Sequence, residues 1–133
     1  MTSNIIYQGN LRTRMTHLHS GNQVITDAPL DNQGLAQAFS PTDLVATALG
    51  SCMMTIMGIK ARDMKLELTG TVLEVTKVMA SNPRRISEVH VTIKFPPNTF
   101  SEKDKIILEN SARTCPVAHS LHPDIKQDIT FNW

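Results

Sequence analysis

Between residues 44 and 59 the chain carries no charged side chain, running LVATALGSCMMTIMGI. A surface helix shows a single apolar stripe, whereas a helix that is apolar all round belongs in a core. The start of this one is marked in sequence. Ser40 suits an N-cap, Pro41 suits the first helical position, where its missing N–H costs nothing, and Asp43 falls where a capping box wants an acid. Residues 40–62 therefore predict a core helix. It reads as too short, and too interrupted by Gly50, Ser51, Thr55 and Gly58, to be a membrane span.

Around it the pattern is mostly that of strands. Residues 5–18 alternate, with Tyr7, Leu11 and Met15 on one face and Arg12 and Arg14 on the other. His19-Ser20-Gly21-Asn22 reads as a turn and residues 23–26 as the returning strand of a hairpin. Residues 28–39 form a long loop, and loops of that length are often functional. After the helix, residues 65–79 predict a strand bent at Gly70. Ser81-Asn82-Pro83 turns it into residues 85–95, where Val89, Val91, Ile93 and Phe95 face in and Glu88, His90, Thr92 and Lys94 face out.

A helix over 101–113 opens with a second capping box, Ser101 and Asp104; its apolar content (Ile106, Ile107, Leu108) is thin enough to predict a surface helix. Thr114-Cys115-Pro116 starts a short helix through Leu121, Pro123 stops it, and residues 126–133 close the chain as a strand. The order β-β-α-β-β-α-α-β predicts one α+β domain over 1–133, an antiparallel sheet packed on a buried central helix. So small a sheet cannot cover every face of so apolar a helix, so the remaining face is expected to meet a second copy, giving a homodimer.

Charge and composition exclude several classes. Thirteen basic against twelve acidic side chains, a formal net charge of +1, leave no basic footprint, so neither nucleic acid nor an acidic membrane is an expected partner. The opening MTSNIIYQGN lacks the basic flank and apolar run of a secretory signal, which predicts a cytoplasmic protein. Two cysteines are too few for a disulfide scaffold; in a reducing compartment they are buried spectators or reactive thiols. There is no glycine-rich phosphate loop, no Gly-x-Ser-x-Gly elbow and no paired-carboxylate signature.

The chemistry thus rests on the thiols. Cys52 lies mid-helix among the small residues Ala48, Gly50 and Ser51. It is either a small core hydrophobe or a nucleophile. It stands too deep in its helix for the dipole to help, so a thiolate there needs an outside cation, for which Arg12 and Arg14 are candidates. Cys115, before Pro116, stands at a helix N-cap, where unpaired N–H groups favour a thiolate; by that reasoning it is the more acidic thiol, or else a plain cap. Cys115, His119 and His122 also suggest a metal module, since Cys and His four apart share a helix face; a fourth ligand is not evident.

SPTDLVATALGSCMMT followed much later by CPVAHSL resembles the OsmC/Ohr family of thiol-dependent hydroperoxide reductases, over essentially the whole chain. The resemblance implies an intertwined homodimer whose sheets enclose two long central helices, with two sites at the subunit interface. Carried over by position, it makes Cys52 the peroxidatic thiolate, which takes the distal oxygen of an organic hydroperoxide and becomes a sulfenic acid. Cys115 condenses with it to a disulfide, and an external dithiol (lipoyl groups in some members) reduces that bond; no cofactor or metal is implied. The ranking of the two thiols is thereby reversed, and a high thiolate content at Cys115 would suit a resolving role.

Arg12, beside Asn10-Leu11, is the preferred activating arginine over Arg14. Leu49, Met53 and Ile56 around Cys52 favour an alkyl group as substrate. The family's hydroperoxidases carry a glutamate ahead of the nucleophile, where this chain has Thr42; the acid comes one later, at Asp43, about 100° round the helix. The alternatives are a dimer of this fold that binds a small apolar ligand without peroxidase turnover, and the metal module.

Overall fold

Strands β1 (Ser3–Gly9), β2 (Arg12–His17) and β3 (Gln23–Asp27) form an antiparallel sheet in that order in the computed structural model, which describes all 133 residues. The chain divides into two compact units, Met1–Val45 and Ala46–Trp133. In the first, the single strand predicted over 5–18 is two strands joined by a tight turn. Gly9, Asn10 and Leu11 all take positive φ (83°, 50° and 60°), the left-handed conformation a two-residue hairpin turn needs. Glycine and asparagine adopt it readily, leucine does not. Leu11 is held there from both sides: its N–H donates to Tyr7 Oη (3.3 Å) and its carbonyl accepts from Ala28 N–H (3.2 Å). Leu11 therefore belongs to the turn and not to a strand face with Tyr7 and Met15.

The second turn is displaced one residue towards the N-terminus from the predicted 19–22, closed by His17 N–H to the Asn22 carbonyl (2.9 Å). That register pairs Thr13 with Thr26 and Arg12 with Asp27. Beyond β3 the loop of residues 28–39 folds back over the strand end: Ala36 N–H donates to the Ala28 carbonyl and Asp27 N–H to the Phe39 carbonyl. Gly34 is obligatory here, because a Cβ would fall 1.7 Å from the Ala28 carbonyl oxygen. The predicted capping box then opens α1 (Pro41–Asp63): Ser40 N–H donates to Asp43 Oδ2 (2.8 Å) and Asp43 N–H to Ser40 Oγ (3.1 Å).

In the second unit β4 (Val72–Ser81), β5 (Arg84–Lys94) and β6 (Lys126–Asn132) form a sheet in that order. The α+β class holds, but the sheet is mixed: β4 and β5 are antiparallel, while β5 and β6 are parallel. The reason is the crossover between them, which carries α2 (Glu102–Arg113) and α3 (Pro116–Ser120) and returns the chain in the same direction. Val89, Val91 and Ile93 face the core as predicted. The helix α2 does not merely lie on the surface: Leu108 and Ala112 are fully buried.

Within the chain α1 is also less enclosed than its composition suggests. One stripe is buried, Ala46, Leu49, Gly50, Met53, Met57 and Ala61, while Val45 and Ile59 are exposed. By length and hydropathy alone the helix could cross a membrane; here its stripe is the core of a globular unit. Gly50 sets the approach. A Cβ there would lie 3.0 Å from Val75 Cγ2 and 3.6 Å from Leu73 Cδ2, so the helix backbone rests directly on β4. Gly50→Leu should therefore overpack this contact and destabilise the protein by about 1–3 kcal/mol, read as a lowered urea midpoint at unchanged slope. An unchanged midpoint would show that helix and sheet are not in close contact there.

Candidate functional site

Two turns of α1 beyond its capped first turn, Cys52 sits on the flank of the buried stripe, half-buried where Met53 beside it is fully enclosed. The second cysteine reaches it by a different route. Cys115 is the N-cap of α3, with extended backbone (φ −68°, ψ 145°) and Pro116 at the first helical position, and its sulfur accepts from Ala118 N–H at 3.4 Å. The short helix is pinned to the sheet, because Gln127 Nε2 on β6 donates to the Ala118 carbonyl (3.0 Å). Cys115 is 0% exposed and lies close enough to Cys52 for that thiol to influence its charge. Both cysteines are free thiols.

The expected acidity of Cys115 is not observed. Burial pushes its thiol above the ordinary value of 9.0; the N–H groups of Ala118 and Val117 pull down, as an N-cap should, while the hydrogen bond and charge of Cys52 push up. Desolvation outweighs the helix start, so Cys115 keeps its proton at neutral pH and can donate it to the Cys52 sulfur. A high thiolate content in the resting state is thus corrected to a protonated, shielded thiol.

The other residues singled out by sequence fall as follows. Leu49 and Met53 are committed to the core, and Ile56 is half-buried beside it. Asp43 is engaged at the helix start by Ser40. Cys115, His119 and His122 are not gathered into a metal-ligating group: the sulfur is buried, both imidazoles are exposed, and His122 Nδ1 accepts from Asp124 N–H.

In the first unit Arg12 does not stand alone. Its Nε donates to Asp27 Oδ1 (2.6 Å) and its Nη2 to Asp27 Oδ2 (2.8 Å), a bidentate pair built on the cross-strand register. Nη2 also donates to Gln37 Oε1 (2.8 Å), and Gln37 N–H donates to Asp27 Oδ2 (3.0 Å). Asp27 is 3% exposed. The hydrogen bonds of Arg12 hold its carboxyl below the usual 3.8 against the opposing effect of burial, and the same bonds hold the guanidinium above its ordinary value. The pair borders a cleft of about 300 Å3, lined also by Gln8, Asn10, Leu35 and Gln37. Arg14, the other candidate, makes no such pair.

Asp27 and Gln37 are not among the residues the sequence singles out. The signal was the hairpin register. A four-residue turn over 19–22 puts Asp27 opposite Arg14, and the same turn displaced to 18–21, closed by His17 and Asn22, puts it opposite Arg12.

Comparison with known proteins adds the following. The profile of a family described as OsmC-like protein matches residues 33–130. No curated protein matches the sequence. A crystal structure from Psychrobacter arcticus 273-4, of a protein named as a candidate osmotic stress induced and detoxification response protein, is 57% identical, with a TM-score of 0.95 over 99% of this chain and 96% of that one. An organic hydroperoxide resistance protein OsmC from Legionella pneumophila is 13% identical (TM-score 0.77, covering 100% and 98%). A protein from Vibrio cholerae named as a candidate organic hydroperoxide resistance protein, bound to captopril in one of its active sites, is 15% identical (TM-score 0.76, covering 99% and 92%). The latter two share the fold.

The raised thiol of Cys115 fixes a pH signature. A thiol that folding keeps protonated makes the folded state the stronger proton binder, so its contribution is full below the ordinary 9.0 and is lost as pH rises through the higher folded value. The denaturation midpoint should fall as pH is raised above 9.0, and Cys115→Ala should flatten that fall. Iodoacetamide at neutral pH should label Cys52 ahead of Cys115; the reverse order would contradict the burial argument.

Proposed function

Because this chain belongs to the OsmC-like protein family and holds two thiols in contact, one half-exposed and one enclosed, we propose that it is a thiol peroxidase that reduces organic hydroperoxides. The asymmetry of the thiols is the observation that carries the reading. A substrate arriving from solvent meets Cys52, and Cys115 waits behind it.

The steps balance in ordinary thiol chemistry. The Cys52 thiolate attacks the distal peroxide oxygen, the O–O bond breaks, and the alkoxide leaves as alcohol after taking a proton. The sulfenic acid left on Cys52 is uncharged, which removes a smaller influence than burial on the proton of Cys115. Cys115 then attacks the Cys52 sulfur, the S–O bond breaks, and its proton departs with the hydroxide as water, leaving a disulfide. An external dithiol restores both thiols and is itself oxidised.

Arg12 completes the proposal as the activating cation. A guanidinium stays charged and can donate to both thiolate and peroxide oxygen, and the bond to Asp27 fixes its orientation. The half-buried Ile56 is the side chain best placed to meet the alkyl group, since Leu49 and Met53 are spent on the core. A homodimer is part of the same reading: the first unit leaves Ile5, Tyr7 and Ile6 about half exposed or more, surface that a second copy would cover. The cytoplasm, with its dithiol reductants, is the compartment that suits this cycle.

Cumene hydroperoxide with a dithiol should be consumed by the wild type and not by Cys52→Ser, in a protein that sediments as a dimer at low micromolar concentration. Cys115→Ser should stop at a sulfenic acid on Cys52, trapped by dimedone. Turnover that survives Cys52→Ser would end the proposal.

A further inference from the structure

Ala118 is held at both ends. Its N–H donates to the Cys115 sulfur (3.4 Å), and its carbonyl accepts from Gln127 Nε2 (3.0 Å). The second bond comes from a position where the sequence pattern calls for an apolar residue. The alternation of β6 puts Gln127 on the face that carries Ile129 and Phe131, both packed against the core. An amide half-buried there costs free energy unless it is hydrogen-bonded, and an apolar side chain would carry no such cost. What Gln127 adds is a tether to α3. That helix has five residues, too few to hold itself in isolation. Val117, Ala118 and Leu121 pack against the core, while Pro116, His119 and Ser120 are exposed. Gln127, Ala118, Cys115 and Cys52 all belong to the unit Ala46–Trp133, so the arrangement is complete within it.

We propose that Gln127 is a positioning residue for the second thiol: by fixing Ala118 it holds the Cys115 sulfur where it closes the disulfide with Cys52, and so sets how fast that bond forms. The inference rests on the reading of Cys115 as the resolving thiol, and it deepens that reading by naming what governs the step. Attack between two groups of one chain depends steeply on placement, and an error of about 1 Å can cost about 100-fold. The rate matters because a sulfenic acid on Cys52 has two fates. Cys115 can attack its sulfur, or that sulfur can take the distal oxygen of a second hydroperoxide, whose O–O bond breaks and whose alcohol leaves, giving a sulfinic acid that a dithiol does not reduce. The first fate is independent of hydroperoxide concentration and the second is proportional to it. Gln127 thereby sets the concentration at which the protein is inactivated.

The test isolates disulfide closure without any peroxide. One equivalent of dithionitrobenzoate, a symmetrical aromatic disulfide, is attacked by the Cys52 thiolate, which expels one coloured thiolate and leaves a mixed disulfide on Cys52. Cys115 then attacks the Cys52 sulfur, loses its proton to solvent and expels the second coloured thiolate, so the second phase reads closure directly. Gln127→Met keeps the length and removes the donor; it should slow the second phase by about 10- to 100-fold and leave the first unchanged. Gln127→Lys restores a donor and should recover most of the rate. In excess cumene hydroperoxide, Gln127→Met should gain two oxygens on Cys52 at a concentration lower by the same factor. Gln127→Glu, equal in size to the native residue, turns an acceptor towards the Ala118 carbonyl; it should be at least as slow, and it decides the question if Gln127→Met does not fold. Equal second phases in wild type, Gln127→Met and Gln127→Glu would overturn the role of Gln127 and leave the peroxidase reading intact. A wild type that releases the first coloured thiolate and never the second would withdraw the resolving role of Cys115 and this proposal together.

Discussion

The backbone of α1 rests on β4 at Gly50, and most of the second unit follows from that contact. A side chain at Gly50 would meet Val75 at 3.0 Å, so helix and sheet can be this close only where the residue has none. The approach fixes the rotation of the helix. Leu49, Met53 and Met57 then fall into the core, and Cys52 falls to its flank, half-buried. The crossover after β5 brings Cys115 to the same flank from the other side, at the start of a helix too short to hold itself without Gln127. Thiol contact is thus a product of packing, not of a local motif.

Placing the second thiol in the core decides its chemistry. An N-cap cysteine in water would be acidified by the backbone N–H groups ahead of it, and two of them do act on Cys115. Full burial costs the charged form more than those N–H groups return, so the proton stays. The protonated thiol is useful where it stands. In the proposed cycle it is already in place to attack once a sulfenic acid forms on Cys52. In the first unit the carboxylate of Asp27 plays an analogous part, holding Arg12 in one orientation and tying the loop of residues 28–39 to the strand it follows.

Much of this fold can be read from the residues. Both capping boxes are local, set by side chains three apart, and both form as written, at Ser40 with Asp43 and at Ser101 with Asp104. The alternation of residues 85–95 is legible because β5 is buried on one face only. What is not legible depends on partners remote in sequence. One leucine and one alanine bury α2, too faint a stripe to distinguish it from a surface helix. The parallel pairing of β6 is dictated by the direction of the crossover and not by its own residues. Asp27 escapes because a shift of two positions in one hairpin exchanges Arg14 for Arg12 as its partner. Cys115 is readable as a cap but not as a buried one, since burial is a property of the sheet and helix around it.

The central claim is that Cys52 and Cys115 form a single redox pair within one chain. The most direct measurement is the intact mass of reduced protein after one equivalent of an organic hydroperoxide, followed by non-reducing peptide mapping. The account predicts the loss of two hydrogens from the monomer mass and a single crosslinked peptide joining Cys52 to Cys115. A disulfide joining Cys52 of two chains, or an oxidised Cys115 beside an unmodified Cys52, would contradict it.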